Sequence, residues 1–177
     1  MKRLTFGMIL LGVAAAQVLV VGQAAALAAS PATGGENFVM VMEPPGAIDV
    51  IAAREGAQDQ EDVVVVGRIG GKKVPWIRGM AAFLIVDCSL KPCSELKDDH
   101  CPHPWDYCCA PNLAKSMVLV KLVDDSGKIV RQDARQLLQL KELDTVVVQG
   151  KARRDRAGNL SIVASRIHVR DDQKAIR

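Results

Sequence analysis

Five cysteines and two of the three histidines of this 177-residue chain lie between residues 88 and 109. They fall in two runs, Cys88-Ser-Leu-Lys-Pro-Cys93 and His100-Cys101-Pro-His103-Pro-Trp105-Asp106-Tyr107-Cys108-Cys109. Thiols and imidazoles crowded into one short stretch do one of two jobs: they cross-link as disulfides, or they ligate a metal ion. In the disulfide account, four of the five cysteines form two bridges and the fifth is left over. Cys108 and Cys109 then take different partners, because adjacent cysteines rarely reach bridge geometry with each other. In the metal account, Cys93, His100, Cys101, His103, Cys108 and Cys109 offer more donors than a tetrahedral zinc site uses, and enough for copper(I) or an iron–sulfur cluster. The spacing lacks the paired C-x2-C knuckles of zinc ribbons, so neither account is settled by pattern alone.

The N-terminus bears on this choice. Lys2 and Arg3 precede an apolar run over residues 4–21, and Ala26-Leu27-Ala28 provides an A-x-A cleavage pattern. Residues 1–28 therefore read as a secretory signal peptide, and the protein as exported, periplasmic or secreted, and not integral to the membrane once the signal is cleaved. An oxidising destination favours the disulfide staple, with no cofactor; a bound metal ion is the alternative. Residues 29–46, with Pro31, Gly34 and Gly35, read as a flexible lead-in, residues 47–172 as one domain and residues 173–177 as a tail.

The elements that must carry the cysteines follow from periodicity. Ile48, Ile51 and Ala52 give a short amphipathic helix over residues 47–55, which Gly56 ends. Four valines at residues 63–66 open a strong strand over 63–69, and further strands are expected over 79–87, 117–123, 145–152 and 160–169. Residues 133–143 read as a helix capped by Asp133. Between the second and third strands lie residues 88–116, a proline-rich stretch with no periodicity that is too long for an ordinary hairpin turn and needs fastening.

Five strands with a helix between the third and fourth are the order of an OB-fold, a mainly β Greek-key barrel. The segments Val63-Val-Val-Val-Gly67-Arg-Ile, Ala82-Phe-Leu-Ile-Val-Asp87, Leu140-Lys-Glu-Leu-Asp-Thr-Val-Val-Val-Gln-Gly150 and Gly158-Asn-Leu-Ser-Ile-Val-Ala164 resemble strand segments of OB-fold domains of the tRNA-anticodon-binding type. The helix ahead of the first strand resembles small exported bacterial OB-fold proteins. Such a resemblance implies a fold and leaves the function open.

In OB-folds the loops joining strands one to two and four to five border the ligand cleft. Here the first carries Lys72, Lys73 and Arg78 beside Trp76, and the second carries Lys151, Arg153, Arg154 and Arg156, a footprint for a polyanion. Nucleic acid fits the fold but not the expected compartment, and exposed aromatics for base stacking are scarce. Trp105 and Tyr107 read as packing that plugs the insert onto the barrel. No nucleophile triad, phosphate-binding glycine loop, His-Glu-x-x-His or C-x-x-C pair is present, so the chain reads as a binding or interaction module with an unknown protein or polyanionic partner; thiol exchange at Cys108 and Cys109 is the one catalytic option left open.

Overall fold

The structure, a computed structural model, describes residues 34–97 and 100–170. The expected signal peptide, the start of the lead-in and the C-terminal tail lie outside the described residues. In chain order the elements are β1 (Ile48–Asp49), α1 (Val50–Gly56), β2 (Asp62–Ile69), β3 (Ala82–Val86), β4 (Met117–Leu122), α2 (Ala134–Leu138), β5 (Thr145–Arg154) and β6 (Leu160–Val169).

The valine run forms β2, the hub of the sheet: it pairs antiparallel with β3 on one side and with β5 on the other. β3 pairs antiparallel with β4, β4 parallel with β6, and β6 antiparallel with β5, which closes a five-stranded barrel. This is the OB-fold order, with α2 between its third and fourth strands as expected. β1 adds a two-residue parallel pairing to β2. Strand alternation sends Val63 and Val65, Phe83 and Ile85, Val118, Val120 and Leu122, and Val146 and Val148 into one shared core. No helix among the described residues is long and apolar enough to cross a membrane.

α2 plugs one end of the barrel with Ala134, Leu137 and Leu138. Its cap is as expected, the Asp133 carboxylate accepting from the Arg135 amide at 3.0 Å. The helix is shorter than the expected 133–143, because Gln139 turns left-handed at φ 56° and so drops Leu140 into the core. α1 differs in register. Ile48 belongs to β1 and is 39% exposed, whereas Val50 and Ala53 are fully buried and Ala57 nearly so. The two-residue strand shifts the start of the helix and turns a different face inward. β3 starts three residues later than expected, because Gly79, at φ +71°, sits in a turn closed by Met80 N–H to Ile77 O at 3.2 Å.

The described part of the lead-in runs along β6. Phe38 packs on the core, the Met40 amide donates to Ile167 O at 2.8 Å, and the Met40 carbonyl lies 3.0 Å from His168 Nδ1. Arg170 pairs with Glu43. Residues 88–116 leave the barrel between β3 and β4, as expected, and the two ends of the excursion meet where the Asp87 amide donates to Ser116 O at 2.8 Å.

Candidate thiol site in the insert

Prolines at 92, 102, 104 and 111 deny the insert both helix and sheet ladder, so its order comes from turns and a few long-range contacts. A short 3-10 turn, Cys93–Glu95, is laid against residues 104–106 by two backbone hydrogen bonds, Cys93 N–H to Asp106 O at 2.8 Å and Ser94 N–H to Pro104 O at 3.0 Å. Further turns close from Asp106 N–H to His103 O at 2.9 Å and from Ala110 N–H to Tyr107 O at 2.9 Å. Together they fold the Cys101–Cys108 stretch over Cys93.

Three contacts pin this fold to the barrel. Tyr107, 1% exposed, lays its ring against Gly70 at the end of β2. A Cβ at Gly70 would stand 2.7 Å from Trp105 O and 2.9 Å from Tyr107 Cε2, so only glycine admits the insert this closely. Arg68 on β2 pairs with Glu95 at 2.6 Å, and Trp105 Nε1–H donates to Lys73 O at 3.1 Å. Burial pushes the Tyr107 phenol up to about 12. The Arg68 guanidinium is close enough to oppose that shift, yet the phenol oxygen is buried with no hydrogen-bond partner among the described residues.

The sulfurs of Cys93, Cys101 and Cys108 all lie within 4.8 Å of one another. Cys93 and Cys108 are 3.4 Å apart, Cys108 and Cys109 3.8 Å, and Cys101 Sγ reaches His103 O at 3.4 Å. A disulfide requires about 2.05 Å. No pair of the five cysteines stands at that distance, so the structure does not show the expected staple. Three sulfurs converge on one point here. Four thiolates around a tetrahedral zinc ion, at ~2.3 Å from it, stand about 3.8 Å apart, so three sulfurs within 4.8 Å match one face of such a site.

Burial across the cluster is graded. Cys93 is fully buried, Cys101 half-buried and Cys108 exposed, so the site has a closed floor and an open side. Burial pushes the Cys93 thiol above its ordinary value, and an ion that binds there must displace its proton. Of the other expected donors, Cys109 stands at the edge of the cluster, while His100 and His103 are not part of the three-sulfur set. His103 instead meets Trp105 edge-on, ring centres 5.7 Å apart at 82°. Cys88 also stands apart from the set, and burial raises its thiol against the opposing charge of Arg68.

Sequence reasoning passed over Asp87. It is 2% exposed, and its carboxylate accepts from the Ile51 amide at 2.8 Å, the Ser89 amide at 3.0 Å and the Ser89 hydroxyl at 2.6 Å. It thereby caps α1, whose own N-cap Asp49 makes no side-chain capping bond, and fixes the first turn of the insert.

The basic loops flank the outer face of β3 and β4. Gly70 donates to Leu84 O at 3.2 Å, Leu84 pairs with Leu119, and Leu119 with Ser161. Three inter-strand steps, roughly 14 Å in all, thus separate the start of the first loop from the end of the second. Lys72, Lys73, Arg78, Arg153 and Arg156 are exposed. Two other expected cations are already engaged. Arg154 donates to the Arg54 and Ala57 carbonyls at 2.6 and 2.9 Å and to Gly158 O at 2.9 Å, clamping the end of α1, and Lys151 pairs with Asp62 at 2.8 Å. Trp76 is 5% exposed, with its Nε1–H donating to Glu142 at 2.6 Å, and offers no ring for stacking.

The fold and site define the chain as an OB-fold-like barrel with a three-cysteine cluster in an insert. No family model matches it, and no curated protein matches it. Among solved structures it is similar to a chain described as an aspartyl-tRNA synthetase from Leishmania major Friedlin, with a TM-score of 0.40 and 9% identity over 75% of this chain and 23% of that one. This chain thus spans less than a quarter of that protein's length.

Proposed function

We propose that this protein is an exported OB-fold binding module whose insert holds a soft metal ion, zinc(II) or copper(I), on Cys93, Cys101 and Cys108. The observation that carries the reading is the convergence of those three sulfurs within 4.8 Å around a buried floor and an exposed edge. Thiolates select soft ions, and both of these are d10 ions that accept three or four sulfurs without imposing another geometry. Cys109 or water completes the shell. The ion would cross-link the insert, the task the sequence first assigns to disulfides, and leave the barrel face and loops to bind. Export rests on the signal-like N-terminus, and the binding role on the OB-fold-like barrel.

A second reading is favoured by one distance. Cys93 and Cys108, at 3.4 Å, are the pair best placed to oxidise, and closing their loop would contribute about 3 kcal/mol. The two readings separate in one experiment: thiol titration with and without reductant, metal analysis, and cobalt(II) or zinc(II) titration of the reduced protein. The metal reading expects one ion per chain, at least about 100-fold weaker binding in Cys93→Ser, Cys101→Ser or Cys108→Ser, and little change in Cys88→Ser. Affinity should fall with pH by up to about tenfold per unit for each thiol proton displaced, the raised Cys93 thiol extending this dependence above neutrality. No metal uptake, with two thiols recovered only after reduction, would establish the staple instead.

A further inference from the structure

We infer that the loop between β2 and β3, together with residues 128–131, is a docking surface for an anionic lipid bilayer. The proposal is independent of the metal site. Three features place it there. First, the loop turns large apolar side chains outward: Val74 is 64% exposed, Ile77 38% and Met80 39%. Trp76, buried between them, anchors the loop so that these residues are held out and not merely frayed.

Second, the neighbouring hairpin continues the surface. The Ala81 amide donates to Val130 O at 2.8 Å, which brings Met80 beside residues 128–131. Met80, Lys128, Ile129 and Arg131 line a groove of about 280 Å³, two apolar side chains and two cations. Third, Lys72, Lys73, Arg78, Lys128 and Arg131 are all exposed, and none pairs with a carboxylate among the described residues. Asp124, in the same hairpin, has its carboxylate engaged by Ser126 and the Lys128 amide, while Asp125 is exposed.

Aliphatic and thioether groups set among unpaired cations suit a headgroup and acyl boundary of negative charge, which takes both at once. A soluble polyanion would use the cations alone and leave the apolar groups in water. A single-stranded nucleic acid would need a ring to stack on, and the loop's tryptophan is turned into the core.

The test uses the full chain with vesicles of phosphatidylcholine, and of phosphatidylcholine and phosphatidylglycerol in equal parts, read by co-sedimentation and by hydrogen exchange. Protection of residues 72–80 and 128–131 by the anionic vesicles is expected, with about tenfold greater partition than to neutral vesicles and loss on adding salt. Because background binding by the apolar N-terminal run is common to all variants, the differences between variants carry the result. Ile77→Ser with Met80→Ser should lower partition to anionic vesicles about fivefold, and Arg78→Gln with Arg131→Gln should lower the preference for them. These positions are exposed, so a melting curve matching the parent confirms that the variants fold. Absence of protection at the loop, or partition unchanged in both variants, would overturn the proposal. So would protection by heparin or polyuridylate that Ile77→Ser with Met80→Ser leaves intact, which would assign the surface to a polyanion.

Discussion

In the barrel, every strand is hydrogen-bonded to a neighbour on each side, and its inward side chains meet one shared core. The described residues of the insert are held by a few turns, one buried tyrosine, an ion pair to β2 and a cluster of sulfurs. Order in the barrel is spread over many interchangeable contacts, while in the insert it is concentrated in a few. The barrel should therefore answer a substitution as a whole, and the insert should answer locally, at the one contact touched.

The sharpest way to break this comparison is through the core. Phe83 is fully buried and packs against Trp76 with ring centres 5.7 Å apart. Phe83→Ala should cost about 3–5 kcal/mol and lower the midpoint of a single cooperative transition in denaturant, for barrel and insert together. Separate transitions would show that the two regions are not coupled as described. Next comes the seam between them. Gly70→Ala pushes a methyl group into Trp105 O and the Tyr107 ring and should cost about 1–3 kcal/mol. Its mark should be faster proteolysis within residues 88–116 and weaker metal binding, with the barrel strands still protected in hydrogen exchange. The smallest effect sharpens the comparison. Tyr107→Phe removes a buried hydroxyl that has no partner among the described residues and should leave stability unchanged or raise it by up to about 1 kcal/mol in a urea melt. A loss of that size would mean that Arg68 bonds the phenol in solution.

The same contrast explains what was legible in the sequence. β2, β4, β5 and β6 could be read because a strand in a barrel repeats one rule every second residue, and runs such as Val63-Val-Val-Val66 state it loudly. α1 was misjudged because two residues of parallel pairing at Ile48 and Asp49 outweigh a helical period too short to be decisive. Arg154 read as a loop cation because two of its three carbonyl partners, Arg54 and Ala57, lie 100 and 97 residues earlier in the chain. In the insert, residue types named every donor, yet which three would meet is decided by turns at Pro92, His103 and Tyr107 that carry no period. Asp87 escaped notice for a related reason. Its role as the cap of α1 depends on residues 36 positions earlier in the chain.

The meeting of Asp87 N–H with Ser116 O has a consequence for modularity. Because that bond sits at the end of the β3–β4 ladder, where Val86 faces Met117, the barrel experiences the excursion as the end of a plain hairpin. Residues 88–115 form in effect a cassette, inserted at a point where chain closure is already complete. A short turn in their place should leave the five-stranded closure intact, and the cassette asks little of its host beyond a hairpin end, an arginine for Glu95 and a glycine on which Tyr107 can rest.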